Sequence, residues 1–150
     1  MTRIDTGALT RRRATDPGAV DGAWGARRRS VRPADGKLMI IAADHPARGA
    51  LGVRGNATAM ASRAELLERL AVALSRPGVD GVLGTADILE DLLLAGLLEG
   101  QMVIGSMNRG GLQGAEFEFD DRWTGYDADT LATNGLDGGK MLTRICLENE

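Results

Sequence analysis

A chain of 150 residues, 43% hydrophobic and 26% charged with a formal net charge of −3, has room for one domain with a substantial core. It holds no apolar run near the roughly 20 residues that span a bilayer. A single cysteine, Cys146, and a single histidine, His45, exclude an intramolecular disulfide and the cysteine- and histidine-rich zinc motifs, and fit a reducing, cytoplasmic setting.

Residues 1–36 carry eight arginines against four aspartates, a charge of +4, while residues 37–150 carry −7. A basic arm of this kind can meet nucleic acid or a neighbouring subunit. This one has no lysine, one aromatic (Trp24) and no nucleic-acid-binding motif, so it reads as a partly disordered, solvated leader. It also lacks the apolar core of a signal peptide.

From residue 37 onward, strand-like and helix-like segments alternate. The first strand, 38–43, is an apolar run that reads as buried on both faces, and it ends abruptly in Asp44-His45-Pro46. A glycine-rich connection, 48–55, follows. Ser62-Arg63-Ala64-Glu65 is a capping box opening a helix with apolar Leu66, Leu67, Leu70, Val72, Ala73 and Leu74, closed by Pro77-Gly78. A short strand over 81–84 leads to Thr85, an N-cap for a helix over 86–98 whose first turns hold Asp87, Glu90 and Asp91. A third strand, 102–106, runs into Met107-Asn108-Arg109-Gly110-Gly111. Residues 112–126 have no clean period. A helix over 127–133 and Asn134-Gly135 then precede a fourth strand, 140–145.

This alternation predicts βαβ units and a parallel sheet. Four strands in about 110 residues correspond to half of an eight-stranded α/β barrel, whose full size is about 250 residues. The expectation is therefore a leader, 1–36, followed by the N-terminal half of a TIM barrel, 37–150.

In such folds the chemistry lies at the carboxyl ends of the strands. Asp44 stands there and suits general acid–base work, or alternatively orders its loop. His45, before a proline, reads as a loop residue. Lys140 is one of two lysines against 16 arginines. Period-2 alternation puts it on one strand face with Leu142 and Arg144, where the two cations can bind an anion or tune a neighbouring group. The alternative is an ion pair with Asp44 or Asp137 that supports the fold. Ser106, Asn108 and Arg109 can bind an anion or a carbonyl oxygen. The chain has neither a P-loop nor a dinucleotide-binding glycine fingerprint. The acidic residues Glu116, Glu118, Asp120 and Asp121 read as a solvated face rather than a metal site.

Four segments carry a resemblance: MIIAADHPARGALG (39–52), the SRPGVDGVLGTADILEDLLL region (74–99), VIGSMNRGGLQG (103–114) and DGGKMLTRI (137–145). With these the chain resembles an actinobacterial family of (β/α)8-barrel proteins related to class I aldolases of the deoxyribose-phosphate, fructose-bisphosphate and tagatose-bisphosphate types, found in sugar and inositol catabolism. The resemblance implies an aldolase-type barrel acting through a lysine Schiff base, without metal or cofactor, on a small carbonyl or sugar-phosphate substrate. Asp44 matches the acidic proton-transfer residue after the first strand, and Lys140 matches the site lysine of the fourth. Arg144 would hold an anionic group. The Schiff-base lysine of the sixth strand has no counterpart here, so the chain is expected to be inactive alone. The alternative is a half-barrel that binds sugar phosphates as a homodimer, with no part for nucleic acid or membrane.

Overall fold

The computed structural model describes residues 4–108, 114 and 123–143. Two N-terminal helices, α1 (Thr6–Thr15) and α2 (Ala19–Ala26), precede the alternating elements. These are β1 (Ile40–Ala43), a 3-10 turn (His45–Arg48), α3 (Arg63–Leu74), β2 (Gly81–Gly84), α4 (Ala86–Leu94), β3 (Met102–Ser106), α5 (Ala128–Thr133) and β4 (Gly138–Lys140). The four strands form one parallel sheet in the order β1-β2-β3-β4.

Local chemistry accounts for most boundaries. Ser62 Oγ accepts from Glu65 N–H at 3.3 Å at the start of α3, as its capping box requires. Asp127 caps α5 by accepting from Thr130 N–H at 2.7 Å. Helix α4 stops at Leu94, short of the expected 98, because Gly96 takes a φ of +71°. The paired bonds Gly96 N–H to Leu93 O and Leu97 N–H to Leu92 O, both 2.9 Å, then close the helix as a Schellman motif. Among the described residues strand β4 covers 138–140, because β3 ends at Ser106, opposite Lys140; residues 144 and 145 of the strand expected over 140–145 lie outside them. Beyond that register the side chain of Asn108 replaces a strand partner. It donates to Leu142 O and accepts from Leu142 N–H, both at 3.0 Å.

The sheet has two unlike faces. On one, Ala43, Val82 and Val103 are sealed beneath Leu67, Leu70 and Leu74 of α3 and Ile88, Leu89 and Leu92 of α4. Near the carboxyl ends this face narrows to the row Ala43, Gly84, Gly105, Gly139. At Gly105 a side chain is excluded, since a Cβ would lie 2.5 Å from Tyr126 Cδ2 and 2.7 Å from Leu131 Cδ2. On the opposite face Ala42 is exposed and its neighbours in register, Leu83, Ile104 and Gly138, are only half-buried. The first strand, expected to be buried on both faces, is thus covered on one. Consecutive right-handed crossovers, all advancing in one direction across the sheet, put their helices on a single side.

Within the segment 1–36, expected to be partly disordered and solvated, Thr6–Thr15 and Ala19–Ala26 form helices that pack on α4. Leu9 and Ala19 cluster with Leu94, and Trp24 (4% exposed) joins the main core. Arg12 donates to Leu94 O at 3.2 Å, at the carboxyl end of α4. Arg13 pairs with Glu90 at 2.6 Å and Asp91 at 2.8 Å. Arg27, stacked on Trp24, donates to Gln101 O at 2.9 Å and Gly135 O at 2.8 Å, tying the segments that enter β3 and β4. The positive leader meets the negative body within one chain. Asp137 lies at this same end, just before β4, and accepts from Val103 N–H at 2.9 Å.

Candidate functional site

Side-chain alternation puts Asp44, Ser106 and Lys140 on the sheet's uncovered face, at the carboxyl ends of β1, β3 and β4. There they meet. Lys140 Nζ donates to Asp44 Oδ2 at 2.6 Å, the ion pair that sequence reading held as one alternative for Lys140. The same oxygen accepts from Arg48 Nε at 3.0 Å and Arg48 Nη2 at 2.9 Å. Arg48 Nη2 also lies 3.5 Å from Ser106 Oγ. Among the described residues Asp44 Oδ1 accepts no hydrogen bond.

Arg48 escaped the sequence reading, where it counted only as the start of a glycine-rich connection. Its signal was the spacing. Asp44 precedes a single 3-10 turn in which Pro46 fixes the backbone and Gly49 terminates the turn. The chain folds back through this turn, and the long Arg48 side chain, four positions on, reaches Asp44 at 2.9 Å.

Burial by itself raises the Asp44 carboxyl, but the hydrogen bonds and charges of Lys140 and Arg48 outweigh it and hold the group below the ordinary carboxylate range. The trio therefore carries one negative and two positive charges. Lys140 in this arrangement is engaged as a hydrogen-bond donor to Asp44. What the cluster can do is accept a proton or a hydroxyl hydrogen bond at Oδ1 and present a cation beside it.

Asn108 is buried and its side chain pins residue 142 beside β3. Ser106, Asn108, Thr85 and Asp87 border a cleft of about 290 Å³ next to the cluster. Arg63 pairs with Asp87 and, at 2.7 Å, with Asp91, which also holds Arg13, so α1, α3 and α4 share one ion network. Arg109, Arg144, Cys146 and the acidic residues at 116, 118, 120 and 121 lie outside the described residues. Among the described residues no cluster of histidine, cysteine, aspartate and glutamate is placed to hold a metal, and no helix is long and apolar enough to cross a membrane.

Sheet and cluster together define a parallel α/β protein whose ionised side chains converge where the strands end, on a face the helices leave open. The chain belongs to the Cgl0159-like family, whose model matches residues 36–150. It is similar to the crystal structure of Cgl0159 from Corynebacterium glutamicum (Brevibacterium flavum), with 58% identity and a TM-score of 0.81 over 89% of this chain and 45% of that one. That coverage exceeds what residues 36–150 hold, so the likeness extends into the N-terminal segment. The chain spans less than half the length of that relative. No curated protein matches it.

Proposed function

We propose that this chain supplies four β/α units of a (β/α)8 barrel of the class I aldolase type, a cytoplasmic enzyme of sugar or inositol breakdown. The observation that carries the reading is the Asp44–Lys140 pair, 2.6 Å apart across the carboxyl ends of β1 and β4 on the open face. Parallel sheets occur almost only with both faces covered, and β1 and β4 are the sheet's two edges among the described residues. Four further strands would close both edges and turn the open face into a barrel interior. The relative's greater length fits that requirement.

In the proposed reaction a lysine from the remaining part of the barrel condenses with the substrate carbonyl, releasing water and leaving an iminium as electron sink. Asp44 takes the proton of the aldol hydroxyl as the carbon–carbon bond breaks. The bonding pair moves into the iminium, and Asp44 later returns the proton. Lys140 steadies the oxygen that loses that proton. Arg144 and Arg109 remain candidates for an anionic substituent. A second reading, a homodimeric half-barrel that binds sugar phosphates, draws on the same open face and free edges.

Borohydride trapping separates the two. The chain and the full-length Corynebacterium glutamicum protein are each incubated with a panel of aldehydes, ketones and their phosphates, reduced, and weighed intact. One reduced adduct on the longer protein, at a lysine beyond the part matched here, is the expected result. No adduct with any compound overturns the aldolase reading, and a phosphate-binding dimer of the chain alone then favours the second.

A further inference from the structure

Two cations converge on one oxygen of Asp44, and they are unlike. Arg48 is sealed, with a side chain 8% exposed, and donates two N–H groups. Lys140 is 26% exposed and donates one, from a flexible stem on the open face. A single cation would neutralise the carboxylate. Among the described residues the second leaves a surplus positive charge, and Arg48 Nη1 is buried there without a hydrogen-bond partner, an arrangement that costs stability. Stability alone does not account for it.

We propose that Arg48 is the positioning residue of this site: it holds Asp44 ionised and turned, with Oδ2 occupied and Oδ1 left for the substrate, whenever Lys140 swings off to meet it. This rests on the reading of Asp44 as the proton-handling group. The device makes Lys140 expendable to Asp44. A lone Asp44–Lys140 pair would lose its compensation the moment the lysine moved, and a buried carboxylate would then neutralise itself. With Arg48 fixed by its short turn, the carboxylate keeps both charge and orientation.

The test is the carboxyl titration of Asp44 in the full chain, followed by ¹³C NMR on aspartate-labelled protein, its signal identified by loss in Asp44→Asn. In Lys140→Met, Asp44 is expected to titrate no higher than an ordinary aspartate, about pH 3.9. Adding Arg48→Met to that background is expected to raise the midpoint by roughly one to three pH units. A midpoint well above the ordinary value in Lys140→Met alone overturns the proposal, as does no further rise in the double variant. The first comparison stands even if the double variant does not fold. No substrate is involved, so failed trapping leaves this result intact, and an unmoved titration leaves the aldolase reading intact.

Discussion

Replacing Asp44 by asparagine preserves shape and removes one charge. In the folded chain Oδ2 accepts three N–H groups from two cations at 2.6–3.0 Å. Hydrogen bonds to a charged partner contribute about 1.5–3 kcal/mol each and neutral ones about 0.5–1.5, so three bonds weakened together cost about 3 kcal/mol. That agrees with the roughly 3–5 kcal/mol lost when one member of a buried pair is removed. It is a large part of the roughly 5–15 kcal/mol that holds a domain together. Urea unfolding followed by far-UV circular dichroism reads this directly: with a slope of about 1–3 kcal/mol/M, the midpoint should fall by about 1–3 M. Pairing Asp44→Asn with Lys140→Met should recover part of the loss, because one of the two stranded cations is gone. A loss below about 0.5 kcal/mol for Asp44→Asn would refute the reasoning, since the cluster would then be solvated rather than sealed.

Other consequences are equally open to measurement. Trp24→Ala should cost about 3–5 kcal/mol, because this leader residue is 4% exposed in the main core. Before any mutation, Trp24 should resist acrylamide quenching while the half-exposed Trp123 does not; equal quenching would mean the leader is not packed. Gly105→Ala should destabilise by about 1–3 kcal/mol by forcing Tyr126 and Leu131 outward, read as a lower Tm, and an unchanged Tm would contradict the close packing. The Asp44 carboxyl is lowered in the folded chain, so its contribution is present above the unfolded value of about 3.9 and is lost as pH falls through the folded one. Stability should decline on acidification below about pH 5, and less steeply in Asp44→Asn. Equal slopes would show that Asp44 does not drive the acid transition.

Much of the backbone was legible in the residues themselves. The capping box at Ser62, the apolar stripe behind it and the turn at Pro77-Gly78 act over a few positions, and α3 follows them. Gly81–Gly84 and Met102–Ser106 emerged where short apolar runs met turn chemistry. Asp44 and Lys140 could be singled out separately, one by its place at a strand's end and the other by the scarcity of lysine, and their pairing could be offered only as one of two alternatives.

What local pattern cannot carry is a partner distant in sequence. The arginines of 1–36 looked solvated because their acceptors, Leu94, Glu90, Asp91, Gln101 and Gly135, lie more than 70 residues away. Arg48 looked like loop until the turn after β1 folded it back onto Asp44. The apolar runs were the same whether one sheet face or both were to be covered. Between β1 and α5 the sequence by itself determined the order of helices and strands, since capping, periodicity and turn formation are short-range, whereas α1 and α2 went unread. Only the tertiary structure decided that Lys140 and Arg48 share the Asp44 carboxylate and that a sheet face stays open, because charge compensation and burial depend on what the whole chain brings together.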